Sequence, residues 1–375
     1  MAPEQQSSPA DSSPLGRVSA LGQSVWIDSL SREWIRGGRL RELIDEAAVV
    51  GATSNPTILQ KAMSSGDSYD EQLRELAGRD AREAFWELAV LDIGEACDVF
   101  GPVFEGTGGR DGYVSLEVDP TLAYETLETY RQALSLHERV DRPNLLVKTP
   151  ATKPGLAAIE DVIARGRSIN VTLIFSLKRY AEVAESYVRG LERLIAAGGD
   201  PRGVRSVASF FVSRIDTEAD RRLEEIGGHD ELKGRLAVAN AKLAYEHCKA
   251  TFSGPRWEYL AGKGATPQRV LWASTSTKNP SYPDTLYVDE LIGPDTINTM
   301  PLQTIDAYQD HGDPQPRLEH GLAQARALFD ELAAAGVDYE DVTDTLEREG
   351  VEKFSASFEQ LLDGLREKHA SLTPV

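Results

Sequence analysis

From Ser24 onward, short and nearly continuous apolar runs alternate with longer stretches in which apolar residues recur every three or four positions. The first pattern reads as a strand buried on both faces, the second as an amphipathic helix. Ser24–Asp28 is the first strand, followed by a helix through Arg39–Glu46; Val49–Ser54 is the second and ends at Asn55-Pro56. A long helical stretch from roughly Tyr69 to Val99 carries Leu73, Leu76, Phe85, Leu88 and Ala89 on its apolar positions. The glycine-rich loop Gly106–Gly112 then delivers a third strand, Tyr113–Val118. Asn144–Thr149, Ile169–Phe175, Ser206–Arg214, Arg269–Thr275 and Asp295–Met300 complete the set, with two helical segments before the seventh strand. Helices Leu318–Ala335 and Lys353–Lys368 finish the chain.

Strands separated by helices imply a parallel sheet, because a parallel connection has to travel back along the sheet. Eight is the closing number for a (β/α)8 barrel, which is the expected fold; a doubly wound open sheet is the alternative. One barrel domain is expected over 20–375, with a helical insertion at about 65–105 and extra C-terminal helices. Residues 1–19, rich in Ser, Pro and Gln without an apolar core, read as a disordered tail rather than a signal peptide.

Composition narrows the function classes. A net charge of −20 disfavours nucleic acid or an anionic membrane surface as partner, and no apolar run reaches membrane-spanning length. Two cysteines, Cys97 and Cys248, fit neither a disulfide framework nor a metal site, so a reducing cytoplasm is expected. The histidines lack metal-site spacing, and His137, His247 and His369 read as surface residues. Monomer and homodimer both remain open.

The chemistry concentrates on one strand face. Lys148 ends an apolar run, Leu145-Leu146-Val147, and Thr149-Pro150 then breaks it. Poor hydration favours the uncharged amine that a nucleophile needs, although a lysine capping a strand end and reaching water is the plainer reading. Alternation places Asn144 and Leu146 on the face of Lys148, and groups Tyr113, Ser115 and Glu117. It also groups Asn170, Thr172 and Ile174; Ser209, Phe211 and Ser213; and Trp26 with Asp28. The polar members gather toward the C-terminal strand ends, where barrel enzymes carry their active sites. Each has a plain structural alternative: Asp28 as a helix cap, Asn55 as turn chemistry, Asn170 and Thr172 as satisfied interior groups. Glu117 needs a partner inside a barrel, and Arg214 and Lys278 suit either a surface ion pair or an anion.

Taken together these segments resemble the transaldolases. Gly51–Leu59 is similar to one family signature and Leu145–Gly155 to the segment around the family's Schiff-base lysine; Asn170–Ser176 and Ser209–Arg214 are also similar to family segments. Tyr287–Pro294 resembles the longer bacterial branch. The resemblance implies class I chemistry on sugar phosphates without metal or organic cofactor. In that reading Lys148 forms the iminium, Asp28 exchanges a proton with the C4 hydroxyl, and Glu117 works through a water held with Thr172. Asn55 and Asn170 hydrogen-bond the three-carbon fragment, Ser209 contacts substrate, and Arg214 holds the distal phosphate. The family often has an arginine at the second phosphate contact, where this chain offers Lys278. The implied reaction moves a dihydroxyacetone unit from sedoheptulose 7-phosphate or fructose 6-phosphate to an aldose phosphate, within the non-oxidative pentose phosphate pathway. Fructose 6-phosphate aldolases share the barrel and the lysine, but there a tyrosine resembles the position of Phe211 and favours release of free dihydroxyacetone. A third reading, a barrel kept only for binding, is expected to lack Lys148, Glu117 or Asp28, and all three are present.

Overall fold

The computed structural model describes residues 12–64, 66–76 and 78–372. Eight strands pair in sequence order and the last closes on the first. They are β1 (Gln23–Ile27), β2 (Val49–Thr53), β3 (Tyr113–Glu117), β4 (Leu145–Pro150), β5 (Ile169–Ile174), β6 (Ser206–Phe211), β7 (Arg269–Ala273) and β8 (Thr296–Met300). All pairs are parallel, and strand residues are buried except for half-buried Val50 and Arg269. That double burial explains why the strands read as apolar runs, and the closed sheet is the (β/α)8 barrel the patterning implied.

Register decides which side chains meet inside. Glu117 lies opposite Lys148, and Lys148 opposite Asn170, across three adjacent strands. Lower down, Trp26 pairs with Thr299 and Gly51 with Tyr113. Position 51 has to be glycine, since a Cβ there would come within 2.5 Å of the Trp26 indole.

Several boundaries differ from the sequence reading. β5 carries a bulge: Val171 pairs with Ala208 but Ile174 with Phe210, and Leu173 has a φ of 60°. Ile174 therefore leaves the face of Asn170 and Thr172, and Phe175 packs instead against Phe211, with centroids 5.1 Å apart. β6 stops at Phe211, so Arg214 sits in the first turn of helix Ser213–Ile226 rather than at a strand end. Asn144 is drawn to the foot of the barrel, where its amide donates to the carbonyls of Cys97 and Gly112, both at 2.8 Å. The crossover from β6 to β7 holds three α-helices, Ser213–Ile226, Leu236–Thr251 and Gly254–Gly262. His137 is buried, not on the surface: its Nε2 lies 2.8 Å from the Ser168 carbonyl, and burial lowers its pKa to about 4.

The expected disordered tail, 1–19, is helical over part of its length. Residues 1–11 lie outside the described residues, but Pro14–Ala20 is a helix whose Leu15 and Val18 are fully buried. Ser13 caps it through Gly16 N–H at 2.9 Å, and proline stands first, where a missing N–H costs nothing.

The stretch expected as one helix from Tyr69 to Val99 is two, Asp70–Glu75 and Ala81–Gly106, because Asp80 caps a new start at Arg82 and Glu83. They are tied to the segment after β1 through Asp92, which accepts from Arg32 Nε at 2.7 Å and from Tyr69 Oη at 2.8 Å. Arg32 and Asp92 are both buried, so removing one partner strands the other charge. Asp92→Ala is expected to cost about 3–5 kcal/mol in denaturant unfolding; a loss below about 1 kcal/mol, typical of a surface pair, contradicts this role.

The C-terminal helix, Tyr339–Leu372, crosses the C-terminal face of the barrel. It begins beside β5 and β6, where Tyr339 Oη accepts from Leu177 N–H at 3.0 Å and donates to Asn240 at 2.7 Å. Gly350 allows its closest approach, since a Cβ there would stand 3.0 Å from Leu173 Cδ2. Farther along, Ser355 Oγ donates to Pro120 O at 3.3 Å, Thr57 and Ser357 bond at 3.0 Å, and Phe358 packs edge-on against Phe85.

Candidate active site

Lys148 ends in the barrel interior with its ammonium 3.0 Å from the Ser54 carbonyl and 3.3 Å from Glu117 Oε2. Both side chains of this pair are buried. The registers that align β3, β4 and β5 place the carboxylate beside the amine. Burial pushes Glu117 above the ordinary carboxylate range, and Lys148 pulls it back. The partner that a buried Glu117 required is therefore the lysine itself.

Asp28, one residue beyond β1, is not a helix cap; Ser31 caps the following helix through Trp34 N–H. Its Oδ1 accepts from Thr53 Oγ1 at 2.7 Å, and Thr53 lies 2.7 Å from Thr299 Oγ1. Burial raises the Asp28 pKa, while Lys148, the Thr53 bond, Arg214 and Lys278 draw it down. Buried Glu117 and half-buried Asp28 thus both carry carboxyls whose pKa is raised beside one lysine, a pattern typical of proton-exchange sites.

Asn170 is a satisfied interior amide: it donates to Ser115 Oγ at 3.0 Å and accepts from Ser209 Oγ at 2.7 Å. Thr172 is fully buried, and its Oγ1 has no hydrogen-bond partner among the described residues. Asn55 caps the helix Pro56–Ser64, its Oδ1 accepting from Ile58 N–H at 3.0 Å. That is the turn chemistry expected of it, and the cap uses the carbonyl oxygen of the amide.

At the outer rim, Arg214 makes no hydrogen bond or ion pair through its guanidinium among the described residues. It lies over the rings of Phe211, 5.2 Å from the centroid, and of Phe354, at 5.9 Å. Burial pulls its pKa down, and Asp28 and Glu349 partly restore it. Lys278, exposed at the rim, donates to Ser276 Oγ at 2.6 Å, and partial desolvation and then Arg214 lower its pKa. Two neighbouring cations, neither in salt-bridge contact with a carboxylate among the described residues, make a place for an anion.

Sequence reasoning missed Thr53, the Ser54 carbonyl and Phe354, and it placed Ser115 on the face of Glu117 without giving it a role. Strand alternation contained the signal for Thr53 and Ser115, whose Cα positions are paired between β2 and β3. Among the described residues no group of three or more His, Cys, Asp or Glu is placed to hold a metal ion. None of the described helices is long and apolar enough to cross a membrane.

The family model described as transaldolase/fructose-6-phosphate aldolase matches residues 25–365. The chain belongs to this family. Among its relatives, the transaldolase of Parafrankia sp. (strain EAN1pec) is 53% identical over 96% of this chain and 99% of the relative. That of Acidothermus cellulolyticus is 54% identical over 93% and 95%, and that of Mycobacterium tuberculosis 52% over 94% and 96%. Within the transaldolase family, Phe211 is the position at which the two named activities are expected to part. Its ring packs on Phe175 and under Arg214, and it carries no proton to give.

Proposed function

We propose that the chain is a transaldolase that moves a dihydroxyacetone unit from a ketose phosphate, sedoheptulose 7-phosphate or fructose 6-phosphate, to an aldose phosphate in the cytoplasm. The observation that carries this reading is the buried Lys148 ammonium, which lies 3.3 Å from Glu117 and acts on the same Asp28 carboxyl as the rim cations Arg214 and Lys278. The Lys148 amine adds to the ketose carbonyl, and Glu117 moves protons through a water that Thr172 Oγ1 helps hold, so that the carbinolamine loses water. In the resulting iminium, Asp28 takes the proton from the C4 hydroxyl. The C3–C4 bond breaks, its electron pair flows to the iminium nitrogen, and an aldose phosphate leaves. Asn55, Asn170 and Ser209 hold the enamine until an acceptor aldehyde adds, and Arg214 with Lys278 anchors the distal phosphate.

Cleavage needs Asp28 ionised, and burial raises its pKa above the ordinary 3.8. As pH falls through that raised value the carboxylate gains a proton and the rate falls. The acid limb of kcat/KM for fructose 6-phosphate cleavage is therefore expected above the ordinary aspartate range, and Asp28→Asn removes most of the rate across the profile. A limb at or below 3.8 takes Asp28 out of this role.

The fate of the enamine tests transfer against aldol release. A phenol at position 211 could activate a water to protonate the enamine; Phe211 cannot. With fructose 6-phosphate alone the native protein is expected to release little dihydroxyacetone, and erythrose 4-phosphate restores turnover. Phe211→Tyr is expected to raise acceptor-independent release. Rapid turnover of the native protein without acceptor would make it an aldolase instead.

A further inference from the structure

A second cavity opens at the other end of the barrel from Lys148. Nearly buried residues at or near the starts of strands, Tyr113, Leu146, Val207 and Ile297, lie with Trp26 behind its floor, and Phe252, Pro267 and Pro294 present its open apolar surface. The loops that lead into β7 and β8 form its mouth. It encloses about 700 Å³, within the range that holds small organic ligands, and its lining is mostly apolar.

The charges at the mouth are uneven. Arg110 pairs with Asp295 at 2.9 Å, Arg269 with Asp111 at 3.0 Å, and Lys249 with Glu319. Arg205 has no carboxylate within 4.0 Å among the described residues. Its Nε donates to Gly109 O at 3.2 Å, and its Nη1 to the carbonyls of Arg202 and Val204 at 2.7 and 3.1 Å. These are neutral acceptors, so the guanidinium charge stays uncompensated in a chain whose net charge is −20. Three buried polar atoms of the lining residues, Trp26 Nε1, Gln268 Oε1 and Arg269 Nε, have no hydrogen-bond partner among the described residues.

We propose that this cavity is a second ligand site, for a small molecule with a flat apolar body and one anionic group. The body lies against the accessible apolar lining at Phe252, Pro267 and Pro294, and the anion pairs with Arg205. A sugar phosphate does not match it, because the walls offer an apolar surface where a sugar needs hydrogen-bond partners. The site is thus distinct in chemistry as well as position from the one around Lys148, and it does not rest on the proposed reaction.

The probe is anilinonaphthalene sulfonate, an aryl anion of this shape, titrated calorimetrically against the full native chain. One dye per chain is expected, unaffected by saturating fructose 6-phosphate. Arg205→Glu should weaken it by about tenfold or more, the loss of a charge-assisted contact, while leaving the neutral analogue phenylnaphthylamine bound as before. Thr266→Trp, which narrows the mouth but keeps the Thr266 backbone carbonyl that accepts from Tyr187 Oη, should weaken both compounds. Both positions are half-exposed, and unchanged ketose cleavage serves as the control for folding. Absence of saturable binding, indifference to both substitutions, or displacement of the dye by fructose 6-phosphate overturns the proposal.

Discussion

Lys148→Ala is expected to abolish both ketose cleavage and the adduct that borohydride traps when the native protein is incubated with fructose 6-phosphate. Borohydride reduces an iminium to a stable secondary amine, so the trapped mass reports the covalent intermediate directly. The variant should still fold. Glu117 loses the lysine that pulls its pKa down, and burial has already pushed that pKa up. It therefore takes up a proton rather than remain a bare buried charge, which is the cheaper outcome. An unchanged circular dichroism spectrum and a modest shift in Tm would confirm that chemistry, not folding, was removed. Trapping that survives moves the Schiff base to another amine, and Lys153 is the first to examine. It is exposed at the first position of helix Lys153–Ala164, outside the cluster that holds Glu117 and Asp28.

The Lys148 cluster was legible because strands have a period of two and neighbouring parallel strands stay in register. Once Lys148 was placed inward, Glu117 and Asn170 followed on β3 and β5. Trp26 and Leu146 were placed inward by the same rule, and both lie behind the floor of the cavity at the foot of the barrel. The rule fails where the backbone leaves the regular pleat. The bulge before Ile174 turns that side chain outward, and nothing in Leu173 as a residue type signals a φ of 60°. Asn144 failed for a different reason: two carbonyls at the barrel foot claim its amide, a tertiary effect with no local pattern. The Ser54 carbonyl against Lys148 is backbone, which side-chain chemistry cannot announce. The tail was misread where composition outweighed patterning: Ser13-Pro14 starts a helix, and Leu15 and Val18, three positions apart, make its buried stripe.

Arg214 depends on parts of the chain that no local motif connects. Phe211 comes from the end of β6 and Phe354 from the C-terminal helix, and the guanidinium rests against both rings without a hydrogen bond. Such packing fixes its position while leaving its N–H groups available for a phosphate. Arg214→Ala is therefore expected to raise KM for fructose 6-phosphate by about tenfold to over a hundredfold, the loss of a charge-assisted contact of roughly 1.5–3 kcal/mol. Values for an unphosphorylated dihydroxyacetone donor should change little, because in the proposed mechanism that fragment is held away from Arg214, at Asn55 and Asn170. Lys278 limits the loss at the lower end: it keeps a positive charge at the rim, but a point charge cannot replace a planar fork. Phe354→Ala should raise the same KM by a smaller factor, since a cation–π contact at a partly buried site is worth about 0.5–2 kcal/mol. Phe354→Tyr should restore it. Steady-state kinetics with the phosphorylated and unphosphorylated donors, run on all three variants, separates the possibilities. Equal losses on both donors would remove Arg214 from the phosphate contact. A kcat defect in Phe354→Ala without a change in KM would place the C-terminal helix in the catalytic step rather than in holding the arginine.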